Sequence, residues 1–361
     1  MIQIKLMKIS KKLNKRQEFI LKYFSENKGA FSVADVWVVV EKEFDKISRI
    51  TVVRDLGFLV SEGSLVREGS GRSVKYRISP RYSLSKKVDI QAYFTIPQDE
   101  RKIKERFNFE IFELLSSDIF TTEEKTRLSA LHEEFQSRLK KIESETLIKK
   151  EYERIMIEFS WKSSQIEGNT YSLLDAEALL MNNEKAEGKT EEETQMILNH
   201  KNAFNFILEH SGDFLELPQS KIENIHAILV EKMGVTRNLR KAPVGITGTN
   251  YKPIDNQFQL EEAFSSMITL INAKQDFFEK SFLCLILLSY IQAFEDGNKR
   301  TARTISNAVL LAHNSSPMSY RAVNEIEYKK ASVLFYEQNN ISYFKEVFME
   351  QFEFAVKNHF N

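Results

Sequence analysis

The chain has 361 residues, 51 Lys plus Arg against 51 Asp plus Glu, 12 Gly, 6 Pro and one cysteine. That length suits two domains, and the even charge excludes a chain-wide polycation, so any nucleic-acid surface must be local. A lone Cys284 excludes a disulfide framework and a thiolate metal cluster and fits a reducing, cytoplasmic setting. Few Gly and Pro among abundant Glu, Lys, Leu and Phe predict a mainly α protein. Residues 1–8 lack the apolar core of a secretory signal, and the longest apolar run, 282–288, is too short to span a bilayer, so no membrane partner is expected.

Residues 14–26 carry Phe19, Ile20, Tyr23 and Phe24 at helical spacing, closed by Asn27, Lys28 and Gly29. Ser32 caps a second helix over 33–44, and a third runs from Ile47 to Gly63. Residues 65–68 and 74–78, either side of Gly69, Ser70 and Gly71, predict a hairpin. Three helices and a two-stranded wing resemble a winged helix-turn-helix, and residues 48–79 look like a bacterial regulator domain throughout. The resemblance puts Ser48, Arg49, Thr51 and Arg54 near the start of a recognition helix, within reach of base edges and phosphates. It puts Arg72 and Lys75 on the wing, against phosphate. DNA is the expected partner of residues 1–80. A solvated basic face, target docking and dimerisation to a homodimer are the alternatives.

Residues 81–97 read as a connector, followed by charged helices over 99–115 and 122–142, whose alternating Glu and Lys mark a solvated face. Residues 81–146 together form a helical connector. From 147 to 361 helix follows helix, with one interruption. Residues 244–253 combine β-branched side chains, Gly245, Gly248 and a terminal Pro253, which predict an extended hairpin or flap.

Residues 281–294 are apolar almost all round, as a buried central helix would be, and run into Glu295, Asp296, Gly297 and Asn298. Gly297 and Asn298 tolerate positive φ, so successive N–H groups can form an anion nest. A helix starting near Lys299 would aim its N-terminus at the same spot. Arg300 and Arg303 share one face of that helix and can clamp phosphates. Asp296 is a hard oxygen ligand of the kind that shares Mg²⁺ with phosphate oxygens. The combination predicts a site for a metal-bound polyphosphate; a charged loop between helices is the bland alternative.

Residues 292–303, Gln-Ala-Phe-Glu-Asp-Gly-Asn-Lys-Arg-Thr-Ala-Arg, resemble the Fic family signature, His-x-Phe-x-(Asp/Glu)-Gly-Asn-(Gly/Lys)-Arg-x-x-Arg, at every defined position but the first. Residues 163–169, from Ser163 through Glu167 and Gly168 to Asn169, are similar to the family's inhibitory helix. Residues 244–253, with Arg240 before them, resemble its flap, on which Ile246, Thr247, Gly248, Thr249 and Tyr251 would dock a target segment by strand pairing. The resemblance covers about the last two-thirds of the chain. It implies a Fic-type helical core with a β-hairpin flap over 147–361, ATP and Mg²⁺ as cofactors, and transfer of AMP to a hydroxyl of an unidentified target protein.

Carried over by position, Asp296 holds Mg²⁺, Gly297, Asn298 and Lys299 supply the nest, and Arg300 grips phosphate. Arg303 binds the γ-phosphate unless Glu167 pairs with it. Ser163 would hold Glu167 or cap its helix. The family's histidine base falls on Gln292, whose amide takes no proton. General-base catalysis is worth about 10²–10⁴-fold, while positioning and charge stabilisation carry much of phosphoryl transfer. The expected function is a protein adenylyltransferase autoinhibited by Glu167 and impaired by Gln292. A non-catalytic ATP-sensing DNA-binding regulator, and a de-AMPylase in which Glu167 orients water, are the alternatives. His200, His210 and His226 are expected as packing or surface residues.

Overall fold

The computed structural model describes residues 13–27 and 29–360; the N-terminal stretch read for a secretory signal, and Lys28, lie outside the described residues. The chain divides into two compact units, up to Lys86 and from Lys87 onward.

In the first unit each helix starts on a polar cap. Asn14 and Ser32 form capping boxes ahead of α1 (Lys15–Glu26) and α2 (Val33–Phe44), and Ser48 caps α3 (Arg49–Ser61). Helical spacing gathers Ile20, Phe24, Val36, Val40, Val52 and Leu56 into one core, completed by Leu65 and Tyr76 of the hairpin. Between α2 and α3 the chain turns through Asp45 and Lys46, both at positive φ, and the Trp37 indole donates to the Ile47 carbonyl at 2.8 Å. Strand β1 (Leu65–Glu68) pairs antiparallel with β2 (Lys75–Ile78), Leu65 opposite Ile78 and Glu68 opposite Lys75. A bridge from Phe31 to Tyr76 ties the hairpin to the helices, and α4 (Pro80–Ser85) ends the unit.

The second unit begins with α5 (Ile90–Thr95). The helix expected over 99–115 does not form: apart from one 3-10 turn at Gln98–Glu100, only α6 (Ile111–Leu114) is helical there. Its backbone groups find distant partners instead. The Lys104 N–H donates to the Glu337 carbonyl at 2.8 Å, and the Lys252 N–H donates to the Glu105 carbonyl at 2.7 Å. Phe107 stacks on Tyr290 at 4.7 Å. With those groups satisfied from outside, the local helical ladder has nothing left to add. Residues 98–106 form a strap. The expected helix over 122–142 is present as α7 (Thr122–Lys141).

The remaining helices are α8 (Glu145–Ile166), α9 (Leu173–Asn182), α10 (Glu191–Glu209), α11 (Gln219–Leu229), α12 (Gln257–Ala273), α13 (Phe277–Ile291), α14 (Asn298–Ala312), α15 (Glu325–Gln338) and α16 (Ser342–Asn358). α13 has no polar face and is buried along its length, so it sits at the centre, packed along α14. Helices α8, α10 and α11 lie against α14, and α12, α15 and α16 against α13. No helix of the described residues is long and apolar enough to cross a membrane.

Residues 244–253 are non-helical and turn at Thr247 and Gly248, as a flap requires, but its arms form no strand ladder with each other. The one bridge is between Lys252 and Arg106. Pro243 and Pro253 lack N–H donors for such a ladder. The strap also takes up the flap's polar groups: Arg101 donates to the Gly248 carbonyl at 2.9 Å, and Gln98 and Asp99 bond the Asn250 side chain at 2.7 and 2.9 Å.

Candidate nucleotide-binding site

The site is built on the turn between α13 and α14. Gln292 leaves α13 in the left-handed region at φ 52°. Its amide is already engaged: Nε2 donates to the Ser289 carbonyl at 2.7 Å, and Oε1 accepts from Asn298 Nδ2 at 3.2 Å. Asn298 also folds the turn on itself, accepting the Phe294 N–H at 2.9 Å and donating to the Phe294 carbonyl at 2.8 Å. Gly297, at φ 79°, precedes the first residue of α14; a Cβ there would lie 3.1 Å from a Val230 methyl. The αL backbone and the close approach both call for glycine.

Two side chains from outside the turn fix it. His226 stacks on Phe294 at 3.7 Å and donates its Nε2–H to the Asp296 carbonyl at 3.0 Å. Arg240 is buried beneath the turn, donating its backbone N–H to the Ala293 carbonyl at 3.0 Å and its Nε to the Gln292 carbonyl at 2.6 Å.

The charges are arranged around two carboxylates, Asp296 and Glu167. Arg300, buried, donates to Asp296 at 2.6 Å, while the Asp296 side chain remains 62% exposed. Arg303, fully buried, donates to Glu167 Oε1 at 2.8 Å and to the Ser163 hydroxyl and carbonyl at 2.9 Å each. Its guanidinium lies 5.5 Å over the Tyr328 ring, and Nη1 has no hydrogen-bond partner among the described residues. Lys299 stands 3.8 Å from the other Glu167 oxygen. Burial alone would raise the Glu167 carboxyl; Arg303, Lys299 and Arg300 outweigh it and hold it below the usual carboxylate range.

No hydrogen bond joins Ser163 to Glu167; both are held through Arg303. The Ser163 hydroxyl accepts from Arg303, so its own hydrogen goes to His200 Nε2 at 2.8 Å, and His200 Nδ1 donates to the Met196 carbonyl at 2.9 Å. That relay needs a neutral imidazole. Burial first, and then Arg300, push His200 down to about 3, which supplies one.

A cavity of about 650 Å³ opens beside this turn. It brings together Gln292, Asp296, Gly297, Asn298, Lys299, Arg300, Glu167 and, from the flap, Ile246, Thr247 and Gly248. Arg303 and Ser163 lie behind Glu167, outside the cavity wall. Gly168 and Asn169 form the turn after α8, where Asn169 donates to the Glu193 carbonyl at 2.8 Å. Thr249 and Tyr251 anchor the foot of the flap, donating to Glu337 at 2.7 Å and to the Tyr290 carbonyl at 3.1 Å. His200 and His226 prove to be buried groups that hold site residues, whereas His210 stacks on Phe206 at the end of α10. No sequence signal pointed to Phe94, Lys329, Lys330 and Tyr336 of the cavity wall, since they come from elements distant in the chain.

No group of three or more His, Cys, Asp or Glu among the described residues is placed to hold a metal. Asp296 fits Mg²⁺ only as one carboxylate sharing the ion with phosphate oxygens, which is how Mg²⁺ is usually held beside a nucleotide.

In the first unit, Arg49, Arg54 and Lys75 are exposed. Ser48 and Thr51 instead bond each other at 2.9 Å in the cap of α3. The Arg72 side chain lies outside the described residues.

Residues 216–310, from just before α11 to near the end of α14, match the model of the Fic/DOC family. The second unit therefore carries a Fic domain, and proteins with this domain generally transfer AMP or other nucleotidyl groups to proteins, using ATP and usually Mg²⁺. Solved structures share its fold. A Fic-domain-containing signalling protein from Bacteroides thetaiotaomicron is 17% identical, with 64% of this chain and 94% of that one aligned at a TM-score of 0.53. Fic-1 from C. elegans is 18% identical over 68% and 79% of the two chains, also at 0.53. A Fic family protein from Desulfovibrio desulfuricans is 18% identical over 66% and 74%, at 0.51. No curated protein matches the chain.

Proposed function

We propose that the second unit binds ATP with Mg²⁺ in the cavity beside the flap, is kept from its productive state by Glu167, and transfers AMP to a protein hydroxyl poorly because Gln292 stands where the base would be. The ion pair of Glu167 with the fully buried Arg303 carries this reading. A buried guanidinium left without its anion costs about 3–5 kcal/mol. Glu167 is therefore displaced only by another anion, and a γ-phosphate is one of the right size and charge. While the carboxylate stays, the phosphate chain lacks its last anchor.

The N–H groups after Gly297 and the start of α14 would take the phosphates. Asp296 would exchange Arg300 for Mg²⁺, freeing Arg300 for phosphate; the ion supplies charge neutralisation. A target hydroxyl attacking the α-phosphorus expels pyrophosphate and releases a proton. The Gln292 amide can orient that hydroxyl but accepts no proton, so the proton goes to solvent.

Calorimetric titration with ATP·Mg²⁺ tests the inhibitory role. Glu167→Gly is expected to bind roughly ten-fold more tightly than the parent, a gain of about 1.4 kcal/mol. Unchanged affinity would overturn it. Restoring the base in the same background, Glu167→Gly with Gln292→His, is expected to raise AMP transfer by about 10²-fold or more over Glu167→Gly alone. If the double variant labels neither itself nor lysate proteins, AMP transfer is the wrong reaction.

A second reading concerns the first unit, as a DNA-binding module that reports nucleotide occupancy. Arg49 and Arg54 favour it: both are exposed at the start of α3 and have no carboxylate partner among the described residues. Retention of the full chain on duplex DNA at low salt is expected, and its absence would remove this reading.

A further inference from the structure

The cavity has two chemistries. Its polar wall is the turn at residues 295–300 with Glu167. Its apolar wall is assembled from Ile326, Val333 and Tyr336 of α15, the flap, and one aromatic ring from α5, Phe94. α5 lies at the start of the second unit, well outside the span that matches the family model. Nothing in the signature, the inhibitory motif or the flap assigns a role to it.

Phe94 is held in place from several sides. Tyr93 packs against it edge-on at 5.2 Å. The Arg101 guanidinium lies over the ring at 5.4 Å and the Lys330 ammonium at 6.0 Å. Arg101 is fixed in turn by the Gly248 carbonyl at 2.9 Å and by Glu337 at 3.3 Å. Tyr93 donates to the same Glu337 at 2.6 Å. A ring positioned by its neighbours loses little freedom when a flat ligand lies against it, so more of the stacking appears as affinity. The Phe94 ring itself offers a phosphate chain no hydrogen bond, whereas a nucleobase can stack on it: every base has a π-face.

We propose that Phe94 is the stacking platform for the nucleobase, and that α5 thereby completes the nucleotide site. This rests on the reading of the cavity as a nucleotide site. Phe94 is in this sense a specificity-determining residue that favours ligands carrying a base over bare polyphosphate.

The test compares ATP·Mg²⁺ with tripolyphosphate·Mg²⁺, which has the charge but no base, by calorimetry in the full-length Glu167→Gly background. Phe94→Ala is expected to weaken ATP about ten-fold, within the range of a lost base–aromatic stack, and to leave tripolyphosphate unchanged. Phe94→Trp should keep ATP binding. Phe94→Leu, which preserves bulk without a ring, should weaken it as alanine does and carries the test if the alanine variant melts early. Equal loss of both ligands in the alanine and leucine variants would make Phe94 a structural prop and overturn the proposal, as would unchanged ATP affinity. If the Glu167→Gly parent binds neither ligand, the nucleotide reading of the cavity fails and this one falls with it.

Discussion

At the scale of single residues, the site is decided by which hydrogen bonds are already made. Gln292 ends α13 with an amide whose donor and acceptor are both engaged, by the Ser289 carbonyl and the Asn298 side chain. Arg303 is paired with Glu167, and the pairing is set up by Ser163, which His200 orients. His200 makes this arrangement pH-sensitive in a definite direction. Its folded pKa of about 3 lies below the ordinary 6.5, so above about 6.5 neither folded nor unfolded chain protonates it and it adds no pH slope. Between 6.5 and 3 the unfolded chain takes up a proton that the folded chain refuses. Stability therefore falls as the pH is lowered through that window, by up to about 1.4 kcal/mol per unit. Thermal melts from pH 7 to pH 4 should show a shallower decline in His200→Gln than in the parent. Parallel declines would mean that His200 protonates freely in the folded chain.

At the scale of elements, the flap depends on a strap that the sequence presented as a helix. Glu charges alternating with Lys and Arg over 99–115 suggested a solvated helix. Phe107 on Tyr290 and the exchange of backbone hydrogen bonds with Glu337 and Lys252 drew the segment out instead. Glu337 joins strap, flap and α15, accepting from Tyr93 and Thr249 and facing Arg101. Arg101→Ala strips a buried carboxylate of its nearby cation, so a loss of about 3 kcal/mol is expected. Because Arg101 also holds the Gly248 carbonyl, amide exchange at residues 244–252 should quicken more than exchange in α13. Uniform quickening would indicate general destabilisation and no specific hold on the flap.

At the scale of the whole molecule, the two units carry different physics. The second has a buried polar site with its ion pairs made; the first exposes cations on α3 and its hairpin. A handful of phosphate contacts gives a salt dependence with slope of roughly −0.9 per contact. Arg49→Ala with Arg54→Ala in the full chain is therefore expected to flatten a log–log plot of DNA affinity against salt by roughly two. The overall chain charge is balanced, so loss on a single face decides the matter. An unaltered slope would assign any retention to another surface.

Signals confined to one stretch of chain were legible in the sequence. The cap at Ser32, the hairpin around residues 69–71, the all-apolar α13 and the Gly297 turn each depend on neighbours within a few positions, and each formed where the pattern put it. The pairing of Glu167 with Arg303 was readable only through the resemblance, since 136 residues separate the two. What only the tertiary structure decided lies at long range. It drew out residues 101–107, turned Thr249 and Tyr251 away from the cavity, and set His200 and His226 behind site residues. It also brought Phe94 to the wall of a cavity whose signature begins at residue 292. Local propensity and capping act over one or two helical turns, while burial and hydrogen-bond satisfaction are settled by whichever partner the fold delivers.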